Sequence, residues 1–221
     1  MKNKYNFEYD FEKAERTKKI TRFLWGLFRW VLEIAAVILL AYILVAYTVE
    51  QTDVLGSSME STLMPGDTII VNKLAFRKEN PERYDLIVFR QGGDEHMYYD
   101  IKRVIGLPGE TIQIKDGEIY ITAPDSSEEV MLLEPYKVEP MLLAGFGAEP
   151  ITLEEDEFFV LGDNRNNSED SRFSTVGNVV KNDIVGMAWI RLKPFSLINK
   201  SNKDYVRPTP TPPGYVPEPA K

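Results

Sequence analysis

Two serines stand side by side in Gly56-Ser57-Ser58-Met59-Glu60-Ser61-Thr62-Leu63-Met64-Pro65-Gly66-Asp67, a run of small and turn-forming residues. Such a turn places a hydroxyl where a reacting group can approach it. Met59, Leu63 and Met64 supply an apolar floor around the hydroxyl, and Met59, directly beside it, is the side chain expected to touch a substrate. Pro65-Gly66-Asp67 then turns the chain into Thr68-Ile69-Ile70-Val71, which reads as a strand. A serine next to a glycine is also an ordinary turn. The stretch becomes chemistry only if a base lies within reach of the hydroxyl.

Two bases are conceivable. His96 is the only histidine and follows Gly92, Gly93, Asp94 and Glu95, a hairpin tip where exposure and loose positioning are expected. The other is a lysine. Met97 to Ile105 reads as a strand whose alternation puts Tyr98, Asp100, Lys102 and Val104 on one face and Tyr99, Ile101, Arg103 and Ile105 on the other. If either face is buried, one of the adjacent Lys102 and Arg103 must point inward. Burial disfavours the ammonium form of a lysine, and the neutral amine can then act as general base for a serine. Two solvated charges on an edge strand fit the same segment. A third stretch, Gly162-Asp163-Asn164-Arg165-Asn166-Asn167-Ser168-Glu169-Asp170-Ser171-Arg172, has the density of turn formers of a loop held by side chain-to-backbone bonds. In it Asp170 and Arg172 can pair, and Ser168 can bond a nearby amine.

Composition removes other chemistries. The 221 residues contain no cysteine, so disulfides, thiolate nucleophiles and Cys-ligated metals are excluded, and a single histidine rules out a multi-histidine metal site. A net charge of −8 argues against a nucleic-acid partner.

The elements that must position these residues follow from the chain order. Residues 1–29 are mixed in charge, with Lys and Arg in excess, and read as a cytoplasmic flank. Ile34 to Tyr47 is apolar without a break; extended to residues 30–49 it reaches the length of a membrane span, with Arg29 placed to pair with Glu33 and Trp25, Trp30 and Tyr47 as interfacial aromatics. A buried core helix would show a polar face, and a cleaved signal peptide would have a shorter charged flank. The excess of Lys and Arg before the span puts the N-terminus inside.

Residues 50–198 then read as short strands: Thr68 to Leu74, Asp85 to Arg90, Met97 to Ile105, Thr111 to Ile114, Glu118 to Ile121, Phe158 to Leu161 and Ile184 to Leu192. Lys115-Asp116-Gly117 is a strong hairpin signal. Residues 122–157 read as an acidic insertion whose glutamates, Glu134 among them, form a solvated excursion. Residues 199–221 carry six of the 14 prolines and read as a disordered, extended tail.

Three blocks together resemble the type I signal peptidases: Ser58-Met59-Glu60-Ser61-Thr62-Leu63, Lys102-Arg103-Val104-Ile105-Gly106-Leu107-Pro108-Gly109, and Gly162-Asp163-Asn164-Arg165 with Ser168 and Asp170-Ser171-Arg172. Their order behind a membrane span also matches. The resemblance implies a mainly antiparallel β catalytic domain anchored by one N-terminal helix, lying outside the cell membrane. It implies an enzyme that removes signal peptides from exported preproteins after small residues at −1 and −3, in contact with membrane lipid and with no cofactor or metal. By motif, Ser58 resembles the nucleophile, Lys102 the general base, Ser168 the hydroxyl that orients the lysine, and Asp170 with Arg172 the supporting ion pair. Two positions depart from the pattern. Ser61 stands where the family usually has proline. Gly56 stands where some members place an oxyanion hydroxyl, so the hole is expected to rest on backbone N–H groups, chiefly that of Ser58. The rival reading is a membrane-tethered β-domain that binds secreted proteins without cutting them.

Overall fold

A computed structural model describes residues 2–91, 98–136, 139–193 and 195–198. His96 and the proline-rich segment 199–221 lie outside the described residues. The chain divides into two units, Met1–Tyr47 and Thr48–Lys221.

The first unit is almost all of one helix, α1 (Lys2–Thr48). Its segment Glu15–Thr48 is long and apolar enough to cross a membrane. Leu39, Leu40, Ile38 and Trp30 are exposed along it, so it is not a core helix of a soluble domain. Arg29 and Glu33 form the expected i, i+4 pair at 3.3 Å.

The second unit is built of short strands: β1 (Val49–Asp53), β2 (Thr68–Asn72), β3 (Leu86–Gln91), β4 (Tyr98–Gly106), β5 (Thr111–Lys115), β6 (Glu118–Thr122), β7 (Glu129–Met131), β8 (Ile151–Thr152), β9 (Glu157–Leu161), β10 (Val179–Val180), β11 (Ile184–Leu192) and β12 (Phe195–Leu197). One sheet runs β1-β2-β11-β3-β4-β9-β10, with β12 added to β11, and a second runs β7-β6-β5-β8. All of the pairings are antiparallel.

Period-two patterning explains the second sheet. Ile112 and Ile114 on β5, with Ile119 and Ile121 on β6, turn inward onto Ile105, Phe159 and Leu161. The β5–β6 turn has Asp116 at φ 51° and Gly117 at φ 82°, the two positive values that a tight hairpin turn demands. A second core lies beneath the serine turn, where Met59 and Leu63 pack with Ile69, Val71, Leu86, Val88 and Ile101.

The acidic excursion differs from the sequence expectation. It contributes β7 and β8 to the second sheet, and Leu132 and Met141 to its core. Glu134 is not solvated; its carboxylate is buried against Arg165. Short strands of two or three residues carry too little periodicity to stand out in an acidic, turn-rich sequence.

Candidate active site

β4 delivers the lysine. It lies between β3 and β9, and from Ile101 to Gly106 every residue is buried, so neither sheet face is left to solvent. Lys102 and Arg103 therefore both point into protein, where only one was expected to. Each finds its own carboxylate. Arg103 donates to Asp163 from Nε at 2.8 Å and from Nη2 at 2.6 Å. Its guanidinium lies 4.2 Å from the centre of the Tyr136 ring. Burial alone would lower the Arg103 pKa; the hydrogen bond and charge of Asp163 more than offset this and raise it. Lys102 Nζ lies 2.6 Å from both carboxylate oxygens of Asp100 and 3.2 Å from Ser58 Oγ.

The serine turn is wound tightly. Glu60 N donates to Ser57 O at 3.0 Å and Leu63 N to Met59 O at 2.8 Å. Asp67 accepts from Met64 N at 2.9 Å and holds the end of the turn. Ser61 sits at φ 85°, a left-handed conformation that a proline ring forbids. The departure from the family's proline therefore matches the backbone seen here. Met59 is 1% exposed and packs in the core below the turn, and Met64, expected in the floor, is exposed.

The loop from Gly162 to Arg172 grips that turn from the other side. Asn164 N donates to Ser58 O at 2.9 Å, and Asn164 Nδ2 donates to Ser57 O at 3.1 Å. Asn167 Nδ2 donates to Ser57 Oγ at 2.9 Å. Of the two serines, then, one hydroxyl is held by the loop and the other faces the lysine. Among the described residues no acceptor takes the Ser58 amide N–H. Sequence reading missed both asparagines. Asn is so common in turns that only the approach of the two loops gives these two a role.

Gly162 is the contact point between the two loops. A methyl group there would lie 2.1 Å from Ser168 Oγ and 2.6 Å from Ser58 O, so no larger residue fits. Ser168 is thus near the serine turn, and its hydroxyl donates to Glu169 O at 3.5 Å; among the described contacts it makes none with Lys102. Asp170 and Arg172 form a wholly buried pair, with Arg172 Nε donating to Asp170 Oδ1 at 2.8 Å and Nη2 to Oδ2 at 2.9 Å. Asp170 also accepts from Gly162 N at 3.1 Å, and Arg172 donates to the carbonyls of Leu143 and Arg165. The pair fixes both ends of the loop.

A buried network ties the excursion to this site. Arg165 makes a two-pronged pair with Glu134, and Tyr136 Oη donates to Glu134 at 2.7 Å. Burial, and then the Glu134 charge, raise the Tyr136 pKa so far that the phenol stays neutral. Thr62, on the serine turn, donates to Asp163 and closes the circuit.

A hydroxyl, a buried amine and a free backbone N–H converge here, the parts an acyl transfer needs. Comparison with known proteins agrees in kind. The family model described as signal peptidase, peptidase S26, matches residues 27–193. The chain belongs to that family.

The peptidase is 34% identical to the signal peptidase I of Bacillus licheniformis over 180 residues, which cover 80% of this chain and 94% of that one. Against signal peptidase I T of Bacillus subtilis it is 32% identical, over 84% of this chain and 92% of the other. A crystal structure of a signal peptidase I from Enterococcus faecalis is 31% identical and covers 49% of this chain and 97% of its own, at a TM-score of 0.38. The matched stretch contains the serine turn, β4 and the Gly162–Arg172 loop, the three blocks that carried the resemblance.

Proposed function

We infer that this peptidase is a membrane-anchored serine endopeptidase that cleaves N-terminal signal peptides from exported preproteins, with Ser58 as nucleophile and Lys102 as general base. The observation that carries the assignment is the 3.2 Å approach of Lys102 Nζ to Ser58 Oγ, with the lysine held mid-strand and 2% exposed. Ser58 Oγ attacks the scissile carbonyl carbon while the neutral amine takes its proton. The oxyanion that forms is met by the Ser58 N–H. As the C–N bond breaks, Nζ returns the proton to the leaving amine; a water molecule, deprotonated by the same amine, then releases the acyl group. Ser168, near the serine turn at the Gly162 contact, is read from its motif as the hydroxyl that orients the lysine. Asp170 and Arg172 keep the loop in place.

The preference for small residues at −1 and −3, contact with lipid, and the orientation with the N-terminus in the cytoplasm belong to the same reading. It is supported by family membership and by an apolar helix preceded by basic residues. The test is to incubate the detergent-solubilised protein with a preprotein and read the new N-terminus by mass spectrometry. Cleavage after a small residue at the end of the signal peptide, absent with Ser58→Ala, is the expected result. An intact preprotein, together with no labelling of Ser58 by an acylating serine inhibitor, would favour a binding domain instead.

A further inference from the structure

Nothing in the dyad as described uses Asp100, yet it makes the shortest contacts to Lys102. Both of its carboxylate oxygens lie 2.6 Å from Nζ, against 3.2 Å for the serine. The two side chains are two residues apart on β4, so the period of the strand puts them on one face. The Asp100 side chain is 21% exposed and that of Lys102 2%. Asp100 Oδ1 also accepts from Ile101 N at 2.8 Å, which fixes the carboxylate's direction.

Other charged groups on the elements around β4 are committed elsewhere. Glu60 accepts from Asn164, and Asp163 accepts from Arg103 and Thr62. Asp170 accepts from Arg172 and from Gly162 N, Asp85 from Glu82 N, and Glu157 from Asn178. Glu169 is exposed, as is Arg90 of β3, which stands opposite Tyr99. The carboxylate on the lysine is that of Asp100. An acid bonded through both oxygens to an amine favours its ammonium form, and an ammonium cannot take the proton of a serine.

We propose that Asp100 is a positioning residue that latches Lys102 as the ammonium in the resting peptidase, so that the active base arises only when the Asp100–Lys102 pair opens. This rests on the Ser58–Lys102 dyad. On opening, one Nζ proton passes to solvent water and Asp100 remains a carboxylate. The neutral amine then turns wholly to Ser58 Oγ and accepts its proton as the serine attacks.

The test measures kcat/KM against pH for the full-length protein in detergent, on a peptide spanning a signal-peptide cleavage site. Asp100→Asn and Asp100→Ala should move the rising limb to lower pH, so that cleavage at pH 7 increases several-fold. Asp100→Glu, which keeps the charge, should hold the limb near its original place. Profiles of the Asn and Ala variants that coincide with the parent, or a rate that falls at every pH with the limb unmoved, overturn the latch. Lys102→Met separates this from failure of the dyad. An active Lys102→Met enzyme sinks both readings, whereas an inactive one beside unmoved Asp100 profiles sinks the latch alone.

Discussion

At the scale of single residues, the chemistry depends on which of two adjacent hydroxyls is free to react. Ser57 Oγ accepts from Asn167, while Ser58 Oγ faces Lys102 Nζ. Ser58→Ala should therefore lower kcat on the order of 10⁴-fold or more, and Ser57→Ala should keep most of the rate. A peptide-cleavage assay with matched circular dichroism spectra separates the two. Lys102→Met should be as inactive as Ser58→Ala, and so should Lys102→Arg, because a guanidinium stays protonated and cannot act as base. His96→Ala should retain most activity; a dead His96→Ala beside a working Lys102→Met would remove the lysine from the mechanism. Ser61 gives a prediction about stability. Its φ of 85° costs a residue with a side chain roughly 1–2 kcal/mol. Ser61→Gly should recover about 1 kcal/mol in urea unfolding, and Ser61→Pro, although it writes in the family's usual residue, should destabilise the turn.

At the scale of elements, β4 holds two buried cations on opposite faces, each with its own acid. The Arg103–Asp163 pair ties the strand to the loop that grips the serine, and Thr62 joins the serine turn to the same carboxylate. Arg103→Ala leaves that acid buried without its cation, which should cost about 3–5 kcal/mol. Adding Asp163→Asn to Arg103→Ala should cost less than the sum of the two single changes, a coupling that a double-mutant cycle of unfolding free energies would read. The alternation of β4 was legible in the sequence, and so were Ser58, Lys102 and the Asp170–Arg172 pair, because those residues sit in dense local patterns. Asp100 was visible as a neighbour of Lys102 on the same face, and its contact with the amine follows from that spacing. What sequence could not supply was the long-range pairing: Glu134 with Arg165, and Asn164 with the serine turn, are each set by strands that meet only in the fold.

At the scale of the whole molecule, two units of opposite solvent preference share one chain. Helix α1 leaves apolar side chains exposed over most of its length, an arrangement that water penalises and a bilayer does not. Among the described residues the β unit has three cores of its own and pairs its buried charges internally. The proposed orientation rests on the flanks. Lys13, Arg16, Lys18, Lys19, Arg22 and Arg29 precede the apolar stretch, and cationic flanks stay on the cytoplasmic side. On the proposed function, cleavage of exported chains requires the β unit to lie on the other side. In intact cells stripped of their wall, added protease should degrade the protein beyond Glu50 and spare an epitope fused ahead of Met1. Replacing Lys18, Lys19 and Arg22 with neutral residues should raise the fraction inserted the wrong way round, seen as a β unit protected from the protease. A β unit that resists protease in the parent protein, while the epitope is lost, would place the active site in the cytoplasm and require substrates other than exported chains.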